Sequence, residues 1–173
     1  MRTEILVCAA LLLSVLSGCS AESEMPQCAG EMVDIHSHGD VIGSVTRFND
    51  ELERVVGTQS RATLLDITRA AGFSDEWDRM VDVYPGIDPV DLNRAAAVDL
   101  AAQCWRGLPG KWSYDDNAGI PRGDYVFFRA GRPVQAVFWS ADRKLIDIDA
   151  GVGLTPESLL VTDPRKRVLR PAP

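Results

Sequence analysis

The chain has 173 residues, 46% of them apolar and a quarter charged, with a net charge of −7. That apolar share argues against wholesale disorder, and the length suits one domain with a real core. The acidic balance argues against nucleic acid as a partner, because phosphate binding needs a basic surface.

The first stretch carries Arg2 and Glu4, then an apolar run from Ile5 to Leu16, then Ser17, Gly18 and Cys19. A charged patch, a short apolar run and small residues make the layout of a secretory signal. The run is too short to span a bilayer, which needs about 20 residues. With Cys19 at the cleavage point, Leu16-Ser17-Gly18-Cys19 resembles the lipobox of bacterial lipoproteins. Glu4 partly offsets Arg2, so the positive flank is thinner than that pattern has. The resemblance covers residues 1–19 alone. It implies removal of residues 1–18, a diacylglyceryl group on the thiol of Cys19, and a domain held outside the cytoplasm. Ser20, in place of an aspartate, resembles lipoproteins sorted to an outer membrane.

That reading discards Cys8 and commits Cys19 to lipid, leaving Cys28 and Cys104 as an even pair in an oxidising compartment. They are expected to form a disulfide. Closing a loop of this length contributes about 4 to 5 kcal/mol in the chain-entropy account.

Residues 19–40 are small, polar and interrupted, and are expected to be a flexible tether to a single globular domain over 41–173. The tether holds the two histidines of the chain, in Asp34-Ile35-His36-Ser37-His38-Gly39-Asp40. On a strand, His36 and His38 would share a face. With Asp34 and Asp40 they are candidate zinc or copper ligands. A defined metal site also wants distant ligands fixed by the fold, and none is evident.

Val41, Val45, Phe48, Leu52 and Val55 form an apolar stripe at helical spacing, with Gly57 as the stop. Ser60 to Ala71 reads as helix, capped by Ser60, or as the start of a strand at Leu64; helix or turn-rich structure is favoured. Trp77 to Tyr84 reads as a strand, with Trp77, Val81 and Val83 facing the core and Asp78 and Asp82 facing out. Asp88-Pro89 predicts an N-cap and first-turn proline. The helix it opens is expected to run to about Trp105, with Gly107 as its stop.

Residues 107–123 read as a long irregular loop, and such loops are often functional. Trp112 and Tyr114 are its candidate binding aromatics. Asp115-Asp116-Asn117 lacks the alternating order of a calcium loop. Asp124–Arg129 and Val134–Trp139 are β-prone runs joined by Ala130-Gly131-Arg132-Pro133, which predicts a hairpin. Lys144 to Asp149 alternates and is expected to be a third strand, with Leu159-Leu160-Val161 a fourth. Arg165, Lys166, Arg167 and Arg170 read as a basic tail, solvated or in contact with anionic polymer or lipid.

These elements predict an α+β domain: a small antiparallel sheet, hairpin or meander in the C-terminal half, with helices packed on one face. The order Trp77-Asp78, strand, Tyr84-Pro85, helix, hairpin, over Trp77 to Trp139, is similar to that of other small bacterial proteins without assigned chemistry.

No Gly-x-Ser-x-Gly elbow and no glycine-rich phosphate loop occurs. The histidines lie in the expected tether, away from any nucleophile motif. The many carboxylates would allow a glycosidase-like pair, whose separation a sequence does not reveal. The sequence therefore favours a non-enzymatic, lipid-anchored envelope protein without a cofactor. It would touch the membrane through the lipid on Cys19, and another envelope protein or a wall polymer through its domain. The alternative is a metal-binding lipoprotein centred on His36 and His38.

Overall fold

The computed structural model describes residues 27–36, 41–58, 61–111 and 119–173. Four strands form the principal sheet: β3 (Arg79–Val83), β5 (Arg122–Arg129), β6 (Arg132–Ser140) and β7 (Gly153–Leu154), in the order β6-β5-β3-β7 and antiparallel throughout. A second sheet orders β2 (Arg61–Thr63), β8 (Leu159–Asp163) and β9 (Val168–Pro171) as β2-β8-β9. A short parallel pair joins β1 (Val33–Asp34) to β4 (Trp105–Arg106). The expected α+β class with a small antiparallel sheet is the observed one.

The hairpin forms where the sequence places it, with a tighter turn. Arg129 pairs with Arg132 across Ala130 and Gly131. These have φ of 49° and 75°, the positive pair that suits a two-residue hairpin turn. Pro133 falls inside β6, an edge strand, where its missing N–H costs no ladder bond. A register shift beside it leaves Val134 as the extra residue of a bulge.

Alternation along the strands sends side chains to two covered faces. Met80, Tyr125, Phe127, Val137, Trp139 and Leu154 meet helix α1 (Val45–Thr58) and helix α2 (Leu64–Ala70) in one core. Val81, Val83, Val126 and Phe128 meet helix α3 (Pro89–Ala96), Ile35 and Trp105 in another. The helices are therefore divided between the faces rather than gathered on one. β3 has no solvent face: Asp82, expected to point outward, is 5% exposed. Trp77 precedes the strand and joins the α1 core, not the side of Val81 and Val83.

The helices show how local signals were honoured or overruled. Phe48, Leu52 and Val55 of α1 are buried as their spacing requires, whereas Val41 and Val45 lie at its exposed entrance. The ambiguous segment divides: residues 61–63 are strand, then the Thr63 hydroxyl accepts from the Asp66 amide and caps α2. Ser60 lies outside the described residues. Asp88 caps α3, accepting from the Val90 amide at 2.7 Å, with Pro89 in the first turn.

The helix does not continue to Trp105. It stops at Ala97, which turns left-handed at φ 55°. The Asn93 side chain holds the outgoing chain, donating to the Leu100 carbonyl at 2.6 Å and accepting from the Trp105 indole at 2.9 Å. A 3-10 turn over Ala102–Cys104 then delivers Trp105 to β4.

Three further expectations are corrected. Residues 33–36 are not tether: β1 pairs with β4, and Ile35 is fully buried. Lys144 to Asp149 is not a sheet strand. Ile146 and Ile148 are buried in alternation, but the segment makes one parallel bridge, Ile146 to Leu169. The basic end is not a tail, because Arg165 to Arg167 form the turn between β8 and β9 and Arg170 lies in β9. The predicted strand at Leu159 is β8, though it belongs to the second sheet.

Candidate functional site

The segment carrying His36 is fixed at both ends of its described length. Cys28 and Cys104 lie at disulfide distance, with sulfurs 2.00 Å and α-carbons 4.8 Å apart. The parallel β1–β4 pair follows, and the Ile35 amide donates to the Arg106 carbonyl at 3.2 Å. His36 then emerges at the rim of the sheet, where its amide donates to Asp34 Oδ1 at 2.9 Å.

Its ring finds a remote partner. Nε2 lies 3.3 Å from Asp124 Oδ2, across 88 residues of sequence. Asp124 sits on β5 opposite Phe138 of β6, so both project from the α3 side of the sheet. Arg122, two residues earlier on the same strand, shares that side. Gly107 closes the back, with φ +72°; a Cβ there would stand 2.7 Å from Asp34 Oδ1 and 2.8 Å from His36 Nδ1. The result is a cleft of about 320 Å³ lined by His36, Gly107, Pro109, Arg122, Asp124 and Phe138. Phe138, half exposed, gives it an apolar wall.

This arrangement holds an imidazole beside a carboxylate, with a guanidinium and an aromatic ring near. Among the described residues, no serine, threonine or cysteine lines the cleft. Such a cleft can bind a small polar ligand, and the dyad can hold a proton.

Of the candidate ligands His36, His38, Asp34 and Asp40, only His36 and Asp34 lie among the described residues, and His36 meets a carboxylate that was not among the candidates. Two ligands at about 2.0–2.1 Å from a tetrahedral zinc stand about 3.4 Å apart, close to the His36–Asp124 separation. Asp124 is the distant partner of His36 that the sequence did not disclose. Asp34 is bound to the His36 backbone instead. Among the described residues, no group of three His, Cys, Asp or Glu side chains is placed to hold a metal ion. His38 and Asp40 lie outside the described residues, as do Cys19, Trp112 and Tyr114.

A second polar cluster lies inside the other face. Asp82 Oδ1 accepts from the Trp139 indole at 3.0 Å, and Oδ2 accepts from Lys144 Nζ at 2.5 Å. Burial pushes the Asp82 carboxyl upward, while Lys144 and the indole pull it back. The Tyr125 hydroxyl donates to the Ile146 carbonyl and accepts from its amide, each at 2.9 Å; burial pushes this phenol up.

The basic turn is partly neutralised. Lys166 and Arg170 both reach Asp147, at 3.3 and 3.5 Å. Asp163 accepts from the Arg165 and Lys166 amides and caps the turn.

Among the described residues, no helix is long and apolar enough to cross a membrane. No protein-family model matches the chain, and neither a curated protein nor a solved structure matches it.

Proposed function

We propose that this chain is a lipid-anchored, extracytoplasmic binding module without catalytic activity, attached through Cys19. The observation that carries the reading is the pairing of Cys28 with Cys104. Disulfides are rare in the cytosol and common beyond it, so the pairing argues for export independently of the lipobox-like residues. Fixed at Cys28, the domain would lie within about 30 Å of the lipid, nine residues at 3.3–3.6 Å each. Two or more acyl chains give stable anchoring. An acidic chain gains little from anionic headgroups, so the acyl groups would do the holding. The partner would be another envelope protein or a wall polymer, meeting the domain at the His36 cleft.

The test is the mass of protein extracted in detergent. Cleavage before Cys19 plus acyl groups supports the reading, and a Cys19→Ala variant should lose both. An unlipidated mass with the signal retained overturns it.

A second reading, metal binding, is favoured by the approach of Asp124 to His36. Zinc should then bind the intact chain in titration calorimetry, and both His36→Ala and Asp124→Ala should weaken it at least tenfold. Undiminished binding in either variant removes this cleft as the site.

A further inference from the structure

Asp82 occupies an inner strand, and its side chain is buried on the face it shares with Tyr125 and Trp139. Lys144 enters from the segment after β6 and lays its Nζ 4.5 Å from the centre of the Trp139 ring. The side chains of Asp82 and Lys144 are 4% and 23% exposed. An amine and a carboxyl are thus held in contact by a rigid sheet, mostly out of water, with one indole N–H on the carboxyl oxygen that the amine does not touch.

We infer that Lys144 and Asp82 are a built condensation site, and that they join as an intramolecular amide between Nζ and Cγ. With Nζ 2.5 Å from Oδ2, it lies no farther than about 3.8 Å from Cγ, one carbon–oxygen bond more. Near-attack geometry requires about 3–3.5 Å, a small side-chain adjustment away.

The step balances within the cluster. The Lys144 ammonium first passes a proton to Oδ2, giving a neutral amine and a neutral acid. Desolvation favours this exchange by disfavouring separated charges, and the upward displacement of the Asp82 carboxyl acts in the same direction. The Nζ lone pair then attacks Cγ, and Oδ1 takes up negative charge against the Trp139 Nε1–H, which acts as an oxyanion donor. A second Nζ proton moves to the Oδ2 hydroxyl. The Cγ–Oδ2 bond breaks, one water leaves past the partly exposed lysine, and the carbonyl re-forms on Oδ1. Nothing is oxidised or reduced. Amide formation between separate molecules in water is unfavourable; here the two groups are already held in contact, which removes the entropic cost of bringing them together and lowers the barrier to the step.

The product would tie β3 to the segment following β6. Unlike the Cys28–Cys104 link, it would resist reductants. The inference does not depend on lipidation.

Peptide mapping decides it. The full chain is denatured, reduced, alkylated and digested with trypsin. Without the link, the digest contains the linear peptides 80–94 and 145–165, because cleavage follows Lys144. With it, Lys144 is not a cleavage site. A branched species then joins 80–94 to 144–165 and is lighter than the two by one water. The branched species as the dominant form supports the inference. Lys144→Arg, which keeps the charge but not a nucleophilic amine, should return linear peptides, and Trp139→Phe should lower the branched fraction several-fold. Linear peptides dominant in the unmodified chain overturn the inference, whether or not either variant folds.

Discussion

The largest single stability change expected comes from removing the Cys28–Cys104 link. The two residues are 76 apart in sequence, so the bond closes a loop of about 77 residues. The chain-entropy relation gives about 15 cal/mol/K for such a loop, or about 4.5 kcal/mol at 25 °C. Among the described residues, the segment that Cys28 anchors is otherwise held by a two-residue parallel pair, the buried Ile35, the Glu31–Arg132 ion pair and the His36–Asp124 contact. The double variant Cys28→Ser, Cys104→Ser avoids a stray thiol and isolates the constraint. Urea unfolding should show a loss of about 2–4.5 kcal/mol, with a larger denaturant slope because the freed denatured chain exposes more surface. At about 2–4 °C per kcal/mol for a domain of this size, the melting midpoint should fall by roughly 10 °C. An unchanged midpoint together with an unchanged slope would refute the reasoning, since a loop absent from the denatured state constrains nothing.

Other sites give smaller and more local effects. Asp88→Ala removes the cap of α3 and should cost about 1 kcal/mol in urea unfolding; wild-type stability would mean the Val90 amide is satisfied elsewhere. Gly153→Ala places a Cβ 1.9 Å from the Ala95 carbonyl oxygen, so α3 must move off β7. A loss of about 1–3 kcal/mol is expected, and a variant melting like the parent would contradict that contact. Asp163 is held below the ordinary aspartate range by the Arg165 amide and then the Lys166 amide. Its folded value is depressed, so its contribution is present above the ordinary aspartate value and is lost as pH falls through the lower folded one. The stability gap between the parent and Asp163→Asn should therefore be widest near neutral pH and close below about pH 4. A gap constant with pH would show that the carboxylate charge is not what the turn uses.

Local signals were legible wherever one element could satisfy them alone. The stripe of Phe48, Leu52 and Val55, the Asp88-Pro89 start and the glycine-bearing hairpin turn each specify a conformation without reference to distant residues. The cysteine pairing followed from counting thiols once Cys19 was assigned to lipid. The errors share a different origin. The alanine-rich stretch after α3 has good helix propensity, but Asn93 spends its side chain on Leu100 and Trp105 and draws the chain into β4. The alternation at Lys144 to Asp149 was correctly read as alternate burial, yet Leu145 and Asp147 bond to Leu169 of β9 rather than extending the main sheet. Residues 33–36 looked like tether because two strand residues and one buried isoleucine carry little pattern of their own. In the site, His36 stood out by rarity. Asp124 did not, because nothing local separates it from the other carboxylates.

Asp82 is the most informative misreading. In Met80-Val81-Asp82-Val83 a lone acid on an alternating strand marks the solvent side whenever the sheet has one covered face. Here α3 covers the side of Val81 and Val83 while α1 and α2 cover that of Met80, so the acid must be buried whichever way the strand is turned. Burying a carboxylate is costly unless its oxygens are matched. The fold meets that cost with Trp139 from β6 and Lys144 from the segment that follows it. A leucine at position 82 would satisfy the same core with no polar partner to arrange. A buried acid, an enclosing aromatic and an amine directed at the carboxyl form a conflict between local pattern and global packing. Such conflicts concentrate where a chain does chemistry or stores strain. For that reason the condensation is located at Asp82, rather than at the exposed pair of Lys166 with Asp147. That pair is open to solvent, and hydration keeps its charges separate and unreactive.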